Sequence, residues 1–137
     1  VLDASNTSHR IRLANIDAPE TGGGRCRPTQ PWATQSKNEL TRMVKGRQVG
    51  LACAEVDRYG RQICDVLVDG TTANRALVES GLAWANRANP HYLRDHAVAT
   101  AESRAQQARI GLWSAPAQTA PWEWRKTQWN QGEGCAK

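Results

Sequence analysis

The segment RIRLANIDAPET, residues 10–21, sets two arginines, an aspartate and a glutamate around a single proline. Hydrolysis of a phosphodiester needs such groups: a positioned water, charge stabilisation on the non-bridging oxygens, and usually a hard cation held by carboxylates. Arg12, Asp17 and Glu20 offer all three roles. On a continuous strand Arg12 and Asp17 would point to opposite faces, so a bulge or the strand's end must re-aim one of them. The competing reading is a set of exposed charges at a strand end, and spacing alone does not choose. A second cluster lies in DRYGR, where Arg58, Tyr59 and Arg61 surround Gly60. Arg61 at a strand start can clamp a phosphate in bidentate fashion while Tyr59 stacks on a base or sugar; a solvated hairpin has the same composition.

Periodicity predicts the elements that must hold these groups. HRIRLANI alternates Ile11 and Leu13 against Arg10 and Arg12, a half-buried strand entered through the polar turn ASNTS and ended at Pro19. TGGGRCRPTQ predicts a mobile loop beside the acidic pair. Ala33, Leu40, Met43 and Val44 recur at helical spacing between Pro31 and Lys45, with Gly46 as a stop. QVGLAC and RQICDVLVD predict strands joined by EVDRYG, followed by a turn at Asp69–Gly70, a helix over 72–80 stopped by Gly81, and a strand at LAWAN. A longer helix is expected over 90–110, with Leu93, Ala97, Ala101, Ala105 and Ala108 as its stripe and Gly111 past its end. SAPAQTAP has linker composition, and PWEWRKTQW mixes tryptophan with basic residues. The order predicts an α+β domain over 1–113 whose strands could close into a small barrel, then a linker and tail over 114–137.

At 137 residues the chain is long enough for one domain with its own core. A formal net charge of +5 favours polyanionic partners. No apolar run approaches the roughly 18 residues of a membrane-spanning helix, so no membrane partner is expected. The opening VLDAS has neither Met nor a leader, so this start is expected not to be the native one, with any signal peptide already gone. Cys26, Cys53, Cys64 and Cys135 lack the paired short spacings of a zinc site. Disulfides and buried free thiols both stay open. A symmetric hairpin around EVDRYGR is expected to set Cys53 and Cys64 opposite one another, leaving Cys26 to Cys135. A bridged pair implies an oxidising compartment, hence a secreted or periplasmic location. His9, His91 and His96 share no metal-binding spacing and are expected at surface or capping positions. Trp32, Trp84 and Trp113 are expected to be buried. Trp122, Trp124 and Trp129, beside Arg125 and Lys126, either stack on single strands or dock on the domain, and docking is preferred because apolar rings need cover.

In this order and at these separations, RIRLANIDAPE, VDRYGR, VDGTTANRALVESGLAW and AESRAQQARIGLW resemble the staphylococcal-nuclease (thermonuclease) family, and PWEWRK is similar to the tail of many bacterial members. The resemblance covers roughly residues 1–126. It implies an OB-fold, a five-stranded barrel carrying three helices, and a calcium-dependent nuclease that cuts DNA and RNA to leave 3′-phosphate ends. A monomer is expected. By motif, Arg12 and Arg61 would clamp the phosphate, and Asp17 would bind calcium together with the backbone carbonyl of Ala18. Glu20 would orient or deprotonate the attacking water, and Arg58 and Tyr59 would touch the nucleotide phosphates.

The chain departs from the family pattern twice. The family's first strand carries an Asp-Gly-Asp-Thr-like turn whose aspartate is a further calcium ligand, and this chain begins after it; Asp3 lies at a later turn and does not inherit the role. A first strand missing from this chain predicts an open edge and a weakened metal site. Asn86 stands where the family often has a tyrosine, and Tyr92 is expected too far into the next helix to replace it. The competing function is a non-catalytic OB-fold that binds nucleic acid after losing a metal ligand. A disulfide-stabilised secreted interaction domain is a third reading and rests on the cysteines alone.

Overall fold

The computed structural model describes residues 1–135. After an N-terminal turn closed by the Leu2–Ser8 bridge, the alternating segment forms β1 (Ile11–Leu13). A tight turn at Ala14–Asn15 then redirects the chain into β2 (Ile16–Asp17). Asn15 adopts a left-handed backbone there (φ 67°), a conformation that Asn tolerates better than most residues. There follow α1 (Ala33–Val44), β3 (Gly50–Val56), β4 (Gln62–Val68), β5 (Thr71–Thr72), α2 (Ala73–Glu79), β6 (Trp84–Ala85), α3 (His96–Ala108), a 3-10 turn (Gly111–Ser114) and α4 (Pro121–Gln128).

Strand β4 is the centre of the sheet. It runs parallel to β1 on one side, antiparallel to β3 on the other, and pairs with β5 at its end. Asp69 (φ 49°) and Gly70 (φ 77°) both take left-handed backbones between β4 and β5, the two-residue turn whose twist matches that of paired strands. The β3–β4 hairpin is asymmetric. Its Val56–Gln62 and Glu55–Ile63 pairs would carry on to put Ala54 opposite Cys64, but the register shifts between Cys53 and Glu55. That bulge, which the symmetric expectation lacked, puts Cys53 opposite Cys64, where the two form a disulfide with Cα atoms 4.0 Å apart.

Thr72 caps α2 by accepting from the Arg75 N–H (3.1 Å), and the helix turns Ala73, Leu77 and Val78 into the core. Burial of side chains such as Leu77 and Val78 contributes about 1.5–3 kcal/mol each. Ile16, Met43, Val66, Val68, Val98 and Ala101 complete the same core, with Ile11, Leu13 and Leu40 packed at its edge. Asn74 is buried among these apolar groups and fully engaged. Its side-chain oxygen accepts from the Val66 N–H (3.0 Å), and its amide donates to the carbonyls of Ala14 (2.9 Å) and Cys64 (3.1 Å). Asn74 thereby ties the β1–β2 turn to β4.

Two expectations need correction. Helix α3 begins at His96, not near Pro90, because Asp95 caps it through the Ala97 N–H (3.0 Å). Its buried stripe is Val98, Ala101, Glu102 and Ala105, while Ala97 and Ala108 are exposed. Its left-handed C-cap is Arg109 (φ 55°); Gly111 has another task. A Cβ at Gly111 would lie 2.4 Å from the Gly81 carbonyl oxygen, so these two glycines let α2's exit and α3's exit meet backbone to backbone. There are four α-helices instead of three, because the tail folds into α4 with Pro121 in its first turn. Strand pairing among the described residues does not close a five-stranded barrel, which agrees with the open edge expected of a chain that begins after the family's first strand. The Ala14–Asn15 turn takes β2 out of the main sheet to pair with β6 instead.

Candidate active site

The turn that breaks the β1 register also answers how Arg12 and Asp17 are aimed: they sit in different ladders. Asp17 pairs in register with Trp84 of β6. That strand is itself fixed by the buried Glu102, which accepts from the Ala85 N–H (2.6 Å) and from Arg87. Ala18 follows directly and packs against the core. Glu20 is clasped by Gln30. The Glu20 N–H donates to the Gln30 side-chain oxygen (3.0 Å), the Gln30 N–H donates to the Glu20 carbonyl (2.8 Å), and the Gln30 amide reaches the Thr119 carbonyl (2.6 Å). Both acidic side chains are mostly buried, and both face one guanidinium. Arg125 of α4 donates to Asp17 Oδ2 (2.9 Å) and also bonds Glu20 Oε1.

Burial pushes the Glu20 carboxyl above its ordinary value; Arg125 pulls it down, neighbouring Asp17 pushes it further up, and Arg61 adds a weaker pull. Burial likewise works against the charge on Arg125, but its bonds to Asp17 and its attraction to both carboxylates outweigh that and hold it above its ordinary value. The segment expected to be a mobile loop is pinned. The indole N–H groups of Trp124 and Trp129 both donate to the Pro28 carbonyl (3.1 and 3.2 Å), and the Asn130 N–H donates to the Cys26 carbonyl (2.6 Å). A disulfide joins Cys26 to Cys135 across 109 residues. Gly22, with φ 62°, closes the loop where a Cβ would lie 2.2 Å from the Arg27 carbonyl oxygen. The tail completes the acidic side of the site, and Trp122 and Trp113 lie edge-on to Trp84 at 6.0 and 4.6 Å.

On the opposite side, Asp57 organises the β3–β4 turn. Its carboxylate accepts from the N–H groups of Tyr59 (2.9 Å) and Arg61 (3.0 Å) and from Arg61 Nε (2.7 Å). Burial works against ionisation of Asp57, but these bonds prevail and hold its carboxyl below the ordinary range. Arg58 and Arg61 flank the exposed ring of Tyr59 at 5.0 and 5.5 Å. Arg12 pairs in register with Ile63, so alternation along β4 assigns Arg61 to the same face as Arg12. Arg12 lines a cleft of about 400 Å³ together with Asn15, Ile63, Asp65, Tyr92 and Arg94. Its guanidinium lies 4.9 Å from the Tyr92 ring. The later start of α3 leaves Tyr92 in a loop over this cleft, held by Asn15, whose side-chain oxygen accepts from the N–H groups of Arg94 (2.7 Å) and Asp95 (3.1 Å).

Asp17 and Glu20 are thus brought together and Arg61 acts electrostatically on Glu20, whereas Arg12 lines a cleft that includes neither carboxylate nor Arg61. Asn86 is buried and its side chain caps the Ala88 N–H (3.1 Å). Asp3 is engaged at its own turn by His9, Ser5 and Thr7; the His9 bond, then that of Ser5, holds its carboxyl far below the ordinary range. Asp17, Glu20 and the Ala18 carbonyl are oxygen donors of the kind calcium takes, so the site fits a hard cation in its chemistry. It is short in number: calcium takes about 6–8 oxygens, and the described residues contain no cluster of three or more His, Cys, Asp or Glu.

The sequence profile of the staphylococcal nuclease homologue family matches residues 10–115, and the chain belongs to that family. Its domain is therefore an OB-fold. The chain is 34% identical over 122 residues to a staphylococcal-like nuclease of Arabidopsis thaliana, spanning 87% of this chain and 34% of that protein. It is 33% identical over 132 residues to a micrococcal nuclease of Shigella flexneri, spanning 88% of this chain and 70% of that protein. To an uncharacterized endonuclease of Escherichia coli O157:H7 it is 34% identical over 126 residues, 91% of this chain and 75% of that protein. The chain spans about a third of the length of its plant relatives.

Proposed function

We propose that the chain is a nuclease that hydrolyses phosphodiester bonds of DNA and RNA, with calcium as cofactor and 3′-phosphate ends as products. The observation that carries this reading is the pair of mostly buried carboxylates, Asp17 and Glu20, facing one another with Arg61 in electrostatic reach. A module that only grips a polyanion gains nothing from two carboxylates held mostly buried beside one another.

Glu20 orients the attacking water or takes its proton. As the water oxygen bonds to phosphorus, the bond to the 5′-oxygen breaks in line, and Arg12 and Arg61 stabilise the added negative charge on the non-bridging oxygens. Asp17 and the Ala18 carbonyl are the groups that would hold calcium, which when bound polarises a phosphoryl oxygen. Arg58 and Tyr59, exposed on the hairpin turn, contact flanking phosphates. Tyr92 above Arg12 offers a ring face to a base, the role that Asn86 cannot serve. The proposed form is a monomer. Two disulfides, with no free cysteine among the described residues, support an exported protein, and no helix among them is long and apolar enough to cross a membrane.

The binding-module reading draws on one observation, the engagement of both carboxylates by Arg125. The substitution Glu20→Gln separates the two. Retained DNA binding with lost turnover supports the enzyme, whereas a wild-type chain that binds single strands and never cuts them supports the module.

A further inference from the structure

Two mostly buried carboxylates that await a divalent cation repel one another and repel an incoming polyanion. Here a cation already lies against both and offsets part of that repulsion. The Arg125 guanidinium bonds Asp17 Oδ2 at 2.9 Å, reaches Asp17 Oδ1 at 3.4 Å, and bonds Glu20 through its other terminal nitrogen. It comes from residues 105 and 108 positions away in sequence, so the contact is a product of the fold. It is also well supplied: α4 is fastened to the Glu20 loop by the Cys26–Cys135 disulfide and by two indole bonds to Pro28. Such tethering keeps the effective concentration of the guanidinium at the carboxylates high. Its side chain is nonetheless 36% exposed, which leaves it a path outward.

We propose that Arg125 is the resident cation of the Asp17–Glu20 site and that a divalent metal reaches Asp17 by displacing it. The tail is then a cation-exchange gate. Without metal, the guanidinium offsets part of the carboxylates' charge and nucleic acid can approach; with metal, the guanidinium leaves the carboxylates. This deepens the reading above at the same site and rests on it only for the choice of cation, since the competition is read from binding alone.

The test is calorimetric titration of calcium into the intact chain, into Arg125→Gln and into Lys126→Gln, which removes the same charge one residue away. Arg125→Gln is expected to bind calcium about tenfold more tightly than wild type, and Lys126→Gln to match wild type within about twofold. A folded Arg125→Gln that binds calcium no more tightly than Lys126→Gln, or does not bind it, overturns the proposal. Should that variant fail to fold, wild-type protein still decides by NMR. The terminal guanidinium protons of Arg125 are expected to be slowed in exchange without calcium and to lose that protection when calcium saturates; protection unchanged at saturation overturns it. DNA digestion run in parallel keeps the readings apart, because calcium-dependent cutting with unchanged Arg125 signals removes this inference and leaves the nuclease.

Discussion

The two sides of the site are built by opposite strategies. The arginine side is local: Asp57 holds Arg61 four residues away, and the disulfide beneath them joins Cys53 to Cys64 across 11 residues. The acidic side is global, because Glu20 and Asp17 meet Arg125 from 105 and 108 residues away in sequence, and the disulfide that secures them spans 109 residues. A turn can orient a guanidinium with few contacts, since the group stays near solvent. Carboxylates that are desolvated beside one another need a partner from elsewhere in the chain.

The largest effect that tests this contrast is on chemistry. Glu20→Gln should lower turnover by about 10²–10⁴-fold while single-stranded DNA binding persists, as measured by single-turnover cleavage beside a binding assay. Next comes stability. Replacing Cys26 and Cys135 by serine should cost up to about 4.7 kcal/mol, against about 3 kcal/mol for Cys53 and Cys64, because the longer loop frees more unfolded-state entropy. Denaturant unfolding of the two double variants gives the ranking, and the reverse order would break the contrast between a global and a local side.

A smaller effect is expected at Asp57. Asp57→Asn should reduce turnover by about tenfold by loosening Arg61. The Asp57 carboxyl is held below its ordinary range in the folded chain, so its stabilisation is present above the ordinary carboxylate range and is lost as pH falls through the depressed value. Thermal midpoints of wild type and Asp57→Asn should therefore differ at neutral pH and converge in acid. The smallest effect belongs to Arg58, exposed on the hairpin turn and proposed above to contact flanking phosphates. Arg58→Ala should weaken binding of all sequences alike and reduce the salt slope by about one.

What was legible in the sequence follows the same division. Alternation and turn chemistry located β1, α1, the β3–β4 hairpin and α2 within a few residues, because each is set by neighbours in the chain. The hairpin bulge was not visible, since one extra residue leaves no mark on composition, and its effect was to shift the partner of Cys64 from Ala54 to Cys53. Asp57 was open to discovery: an aspartate three residues before a glycine is a turn signal, and such a side chain often bonds the backbone two residues on. Asp95 could likewise have announced the start of α3 as its cap. Arg125 was in plain view within PWEWRK, but nothing local ties it to Asp17. Gln30 and Glu102, which position Glu20 and β6, carry no sequence signal that sets them apart from other polar residues.

The most direct measurement of the central claim is digestion of single-stranded DNA by wild type and by Glu20→Gln, in calcium and after its chelation, with the new ends identified. The account predicts that wild type cuts in calcium to leave 3′-phosphates and stops when calcium is removed, while Glu20→Gln binds and scarcely cuts. Equal cutting by the two proteins, or salt-sensitive binding by wild type with no cutting under either condition, would contradict it.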